Sequence, residues 1–157
     1  MIRIFNSRGL LLYEGAEHWT QVDFDGVDLE DAQLEGIVAE GAFLYGAKLR
    51  GANLRGADLY WCLAIKADFT GANLENADLL GASCQAAVFR DANLGGTDFR
   101  INNLGVGAKL FGADLRTSSL VEAKLEGALY SAATLFPNGF DPAAYGMVEV
   151  VWSCPQK

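Results

Sequence analysis

Residues 46–60 read GAKLRGANLRGADLY, three five-residue units in which Ala, a polar residue and Leu hold fixed places. A period of five suits neither the 3.6 residues of an α-helical turn nor the two of an ordinary strand. It suits a chain that turns a corner once per unit and returns its Leu and Ala to one interior. Followed outward, a large apolar residue recurs every five positions from Phe24 to Leu104, then, after one six-residue step, from Leu110 to Leu125. Eighteen of these 21 positions are Leu or Phe, and the position two residues earlier is Ala in 14 of the 21, so both columns are predicted to face inward. Gly46, Gly51 and Gly56 follow the Leu by two residues, where a tight turn calls for positive φ.

The exceptions carry information about packing. Where the large position shrinks to Ala39 the earlier one grows to Ile37, and where it shrinks to Ala64 the earlier one becomes Cys62, an exchange of volume within a packed column. Cys84 with Ala82 has no such compensation, which predicts a small void or an inward shift there. Thr97, Asn102 and Ser118 place polar atoms in the Ala column and require hydrogen-bond partners. Asn102 stands just before the six-residue step in INNLGVGAKL, and the expectation is a bulge held by its side chain.

The run GAKLRGANLRGADLY, with GANLENADLLGA (71–82) and GAKLFGADLRTSSL (107–120), resembles the pentapeptide-repeat proteins and their Ala-Asp/Asn-Leu-X-X motif. The resemblance covers roughly residues 22–130. It implies an all-β fold, a right-handed quadrilateral β-helix with four units to a coil, of about five coils and about 25 Å at a strand-like spacing. Residues 1–20 are expected to form an N-terminal β-hairpin cap, 21–130 the β-helix and 131–157 a C-terminal cap or tail. Apolar segments around Asn6-Ser7-Arg8-Gly9 carry the hairpin signal. At the other end TLFPNGFDPAAYGMVEVVW (134–152) predicts turns at Pro137-Asn138-Gly139, one helical turn from Asp141 with Pro142 first, and a strand over 148–152. Phe136, Phe140 and Tyr145 are expected to close the last coil. Some family members dimerise through this end, so Phe136, Val150 and Trp152 are also candidates for self-association.

Composition bounds the rest. The 157 residues carry a net charge of −8, and residues 9–47 hold nine acids without a Lys or Arg. The acidic end is represented by Asp23, Asp25, Asp28, Glu30, Asp31, Glu35 and Glu40. Charge of this sign argues against direct nucleic-acid binding and suits a basic partner at that end, or simply a solvated face. No apolar run approaches the about 18 residues of a membrane span, so no membrane association is expected. The opening MIRIFNSRGL lacks the features of a secretory signal, and a cytoplasmic location is the expectation. Cys62, Cys84 and Cys154 fit neither a disulfide framework nor a zinc pattern and are read as reduced thiols, with Cys62 as core filler.

Chemistry-bearing constellations are absent from the pattern. His18 has no companion placed by spacing, and DFDGVDLED (23–31) lacks the spacing of a calcium loop to its bidentate Glu. The reading is therefore of no enzyme, with no catalytic, metal or cofactor residues and no cofactor. Surface geometry is more informative: with residues 20 apart stacked, Phe43 lies under Leu63, Tyr45 under Ile65, Tyr60 under Leu80 and Trp61 under Gly81 and Ile101. Phe43, Tyr45, Tyr60, Trp61, Leu63, Ile65 and Leu80 then form one outward apolar patch. Its occupant is a protein partner or second copy of this chain, or the chain's own N-terminal hairpin or C-terminal tail. The function expected is a non-catalytic scaffold or regulatory module. Two alternatives come with the resemblance: a DNA-mimic inhibitor or protector of DNA gyrase, Qnr-like or MfpA-like, and an immunity protein neutralising a toxin.

Overall fold

Parallel backbone bridges joining residues 20 apart order the repeat region of the computed structural model, which describes residues 2–15 and 20–151. Among the described residues they form four ladders. The first runs Asp23, Phe43, Leu63, Ser83, Lys109; the second Asp28, Lys48, Asp68, Val88, Asp114; the third Gln33, Asn53, Asn73, Asn93, Ser119; the fourth Val38, Asp58, Asp78, Asp98, Lys124. Leu54 shows the local pattern: its N–H donates to the Asn73 carbonyl at 2.7 Å, and its own carbonyl accepts the Ala57 N–H at 3.0 Å across the corner. The third residue of that corner, Gly56, has φ 62°, the left-handed conformation that the five-residue period predicted.

The inward columns are buried along most of their length, including Ala39, Ala64, Cys62 and Cys84, with Val27, Ile37 and Leu120 half-buried. Leu104 departs from the predicted inward column. It is 70% exposed, because the fourth ladder's successor begins later than a single extra residue would place it. Ser83 pairs with Lys109, an offset of 26 in place of 20. Residues 101–106 make a looped excursion, and Asn102 holds it: its Oδ1 accepts the N–H groups of Leu104 (2.9 Å) and Val106 (3.0 Å). Gly105 donates to the Asn102 carbonyl with φ 75°. Asn102→Ala removes the acceptor of both N–H groups in a part-buried loop, and a loss of about 1 kcal/mol, or about 2–4 °C in Tm, is expected by circular dichroism.

Polar atoms in the Ala column find partners with one exception, the buried Nδ2 of Asn102, which has none among the described residues. Thr97 donates to the Leu74 carbonyl at 2.8 Å and Ser118 to the Leu115 carbonyl at 2.7 Å. Exchange of volume at Ala39 is incomplete. A void of about 10 Å³ lies among Leu34, Ile37, Ala39, Leu44 and Leu59, so half-buried Ile37 only partly replaces the missing side chain at Ala39. Ala64 and Cys84 are fully buried, and in the units that follow them the Phe69 and Phe89 rings stack at 5.0 Å, with Phe99 edge-on to Phe89.

Strand β1 (Ile2–Phe5) pairs antiparallel with β2 (Leu11–Gly15). The Asn6 side chain accepts from Arg8 and Leu10, the same arrangement as at Asn102. Ile2 and Ile4 join the core, Tyr13 packs edge-on to Phe24 at 4.9 Å, and Asn6 bridges antiparallel to Ala32. At the other end β3 (Leu129–Tyr130) pairs in parallel with β4 (Val148–Glu149), shorter than the expected strand. The predicted helical turn is a 3-10 turn over Pro142–Tyr145, where Asp141 caps the Ala143 N–H and Gly146 closes at φ 69°. Phe136, Phe140 and Tyr145 stack in a row at 5.2 and 4.7 Å. The expectations for His18, Trp152 and Cys154 lie outside the described residues.

Candidate interaction surface

The first ladder changes character along its length. Asp23 is followed outward by Phe43 (40% exposed) and Leu63 (38%), then by buried Ser83. Trp61 (38% exposed) and Tyr45 flank this pair on its two corners. Tyr60, Ile65 and Leu80, expected in the same patch, are half-buried. The Tyr60 and Trp61 rings meet edge-on at 6.3 Å, and the indole lies over Gly81, whose missing Cβ would stand 3.0 Å from Nε1. Lys66 sits over the Tyr45 ring at 5.5 Å and donates to its hydroxyl at 3.2 Å. Trp61 has φ 58°, at a place where Gly41 and Gly81 hold the equivalent corners of the neighbouring coils.

The parts of the chain offered as internal cover are engaged elsewhere where they are described. Phe5 accepts from Gln33 beside the third ladder, and β4 extends the first ladder beyond Leu129. Beside the Tyr60–Trp61 corner stands the 101–106 loop, with Asn103 near the Tyr60 hydroxyl at 3.4 Å and Ile101 and Leu104 exposed. Addition of 20 places Ile101 over Trp61 but not the rest of the loop, whose signal is the Asn-X-X-Gly spacing shared by residues 6–9 and 102–105.

Acidic and apolar features meet at a surface hollow of about 310 Å³ lined by Thr20, Gln21, Glu40, Phe43, Trp61 and Leu63. The remaining acids of that end are dispersed. Asp28 pairs with Lys48 at 3.2 Å and Glu35 with Arg55 at 3.0 Å, while Asp25 accepts the Tyr45 N–H. Asp23 and Asp28 stand on different ladders, and among the described residues no group of three or more His, Cys, Asp or Glu is placed to hold a metal ion. Burial pushes the Cys62 thiol well up and the Cys84 thiol to about 12, which keeps both protonated and inert.

The fourth ladder stacks Asp58, Asp78 and Asp98. Burial, joined by the charges of Asp58 and Asp98, holds the Asp78 carboxyl above its ordinary range despite the Leu80 N–H and Lys124. A carboxyl raised in the folded state contributes stability that is present below about 3.8 and lost as pH rises through the folded value. Asp78→Asn keeps the acceptor and removes the repulsion, so at neutral pH a Tm gain of about 1–3 °C is expected, vanishing near pH 3. Asp98 runs the other way. Burial raises it, but hydrogen bonds from the Arg100 side chain and backbone, with the Arg100 and Lys124 charges, bring it below the ordinary range. Its contribution is present above the ordinary carboxylate range and is lost as pH falls.

The model for pentapeptide repeats matches in eight copies over residues 28–63 and 67–100. The structure of alr5209, a pentapeptide repeat protein from Nostoc PCC 7120, is 33% identical over 83% of this chain and 86% of that chain, with a TM-score of 0.43. The chain belongs to the pentapeptide-repeat family. Another member of known structure is HetL, a pentapeptide repeat protein involved in heterocyst differentiation regulation in the cyanobacterium Nostoc sp. strain PCC 7120. It is 27% identical, with 82% of this chain and 64% of HetL covered and a TM-score of 0.52. Rfr23 from the cyanobacterium Cyanothece 51142 is 25% identical, with 74% and 89% covered and a TM-score of 0.48. No curated protein sequence matches. As a pentapeptide-repeat protein the chain is a β-helix, and among its described residues no helix is long and apolar enough to cross a membrane.

Proposed function

We propose that this pentapeptide-repeat protein is a non-catalytic interaction module: a stiff, right-handed, four-sided rod of about five coils that docks a protein partner on its first ladder. The observation that carries the reading is the replacement of Asp, Asn or Lys by Phe43 and Leu63 on consecutive coils, with Trp61 beside them and all three exposed. Packing does not require these side chains to be apolar, since the neighbouring positions of the same ladder are Asp23, Ser83 and Lys109. A contiguous apolar face that the fold itself does not use is the physical mark of an interface. Trp61→Glu with Leu63→Glu tests it: partner recovery and any self-association seen by light scattering should be lost with the melting transition intact.

A second reading, gyrase inhibition or protection by DNA mimicry, draws support from the Asp58, Asp78 and Asp98 stack, a line of carboxylates along the rod. Against it, Asp98 is tied to Arg100 and Lys124, and Asp114 on the second ladder to Arg90 and Arg116. A supercoiling assay separates the readings, since no effect at micromolar protein eliminates mimicry.

A further inference from the structure

We infer that the hollow beside Trp61 receives a cationic side chain, Arg or Lys, flanked by an apolar residue in a peptide segment of the partner. This rests on the interaction-surface reading and specifies the partner's chemistry. Trp61, Phe43 and Leu63 supply apolar and aromatic walls, and Glu40 supplies a carboxylate among them.

The charge pattern of the repeat points to a cation. Each acid of the first coil has a stacked residue 20 positions on, and for Asp28 and Glu35 that residue is a base, Lys48 or Arg55, at ion-pair distance. For Asp23 and Glu40 the residues 20 on are Phe43 and Tyr60. Among the described residues neither Asp23 nor Glu40 has a base within 4.0 Å. Among the described residues Asp25, Glu30 and Asp31 are without an ion pair as well; what sets Glu40 apart is its place, lining the hollow together with Phe43, Trp61 and Leu63 and with no base of the described chain beside it.

An acidic ligand would be repelled there, and a purely apolar one would desolvate Glu40 without a partner. A guanidinium or ammonium satisfies the carboxylate and gains from an aromatic face, while an adjacent Phe or Leu covers Phe43 and Leu63. The same face already makes one such contact within the chain, where Lys66 lies over Tyr45.

The test uses the full chain and the peptide Ac-Gly-Phe-Arg-Leu-Gly-NH2, its citrulline analogue and its Ser-Arg-Ser analogue, by calorimetry at low and moderate salt. The Arg peptide should bind saturably, with the citrulline analogue about tenfold weaker and Trp61→Ala about tenfold weaker for the Arg peptide. Glu40→Gln should erase the preference for Arg over citrulline, whereas Glu30→Gln, on the diagonally opposite corner, should leave it unchanged. No binding, equal binding of Arg and citrulline peptides, or an equal loss in Glu30→Gln overturns the inference. Binding that is lost in Trp61→Ala but indifferent to Arg overturns the cation alone and leaves the interaction surface standing. A preference for Arg that survives Trp61→Ala overturns its placement in this hollow.

Discussion

Leu54→Asp is expected to abolish the cooperative melting transition, whereas Leu104→Asp should leave Tm within experimental error. Both residues occupy the large position of the five-residue period, so the period alone assigns them the same fate. In the structure Leu54 is 2% exposed and Leu104 is 70% exposed. An aspartate at position 54 enters a column of Leu and Ala with no base to pair with, at a cost of several kcal/mol, and the lost leucine contributes about 2 kcal/mol more. Against a total stability of about 5–15 kcal/mol that is decisive, the more so because each coil of a solenoid is held only by its neighbours. Leu54 stands in the second coil, and losing it separates the first coil and the N-terminal hairpin from the rest. Circular dichroism melts of the two variants check the prediction. An unaltered transition for Leu54→Asp would refute the register.

Trp61→Glu with Leu63→Glu should have the opposite profile, a preserved fold and a lost surface. Both side chains are more than a third exposed, and glutamates there point to solvent. Trp61 adds a sharper variant. Its φ of 58° costs an L-residue about 1–2 kcal/mol that glycine does not incur, and Gly41 and Gly81 already occupy the matching corners. Trp61→Gly removes the ring and relieves the backbone, so Tm should hold or rise while partner binding falls. Gain of stability with loss of binding is the signature of a residue kept for its surface. A Tm drop of many degrees in Trp61→Gly, with binding unchanged, would make the indole a packing element.

Much of this fold was legible because a strict period encodes it. The inward columns, the turn glycines, the hairpin at Asn6-Ser7-Arg8-Gly9 and the helical turn at Pro142 follow from residue type and spacing, since each depends on backbone preferences that act over a few residues. The stacking of Phe43 under Leu63 followed from simple addition of 20. Misplacement began at Asn102, where a six-residue excursion reads by period as one more unit and a single extra residue. Leu104 happens to continue the period, so its spacing masked the loop that the Asn-X-X-Gly pattern announces.

What the sequence by itself determined is the coil: a repeating unit whose local turns and apolar columns leave a single way of stacking. Only the tertiary structure decided how the columns fill, with the void at Ala39 and the Phe69–Phe89 stack beside Cys84, and which outward residues share a surface. Glu40 and Trp61 are 21 residues apart and belong to separate features of the sequence, an acidic end and an apolar patch. They meet in one hollow because consecutive coils lie a strand's width apart. Side-chain reach across that gap, unlike backbone period, is set by rotamers and neighbours that no spacing rule contains.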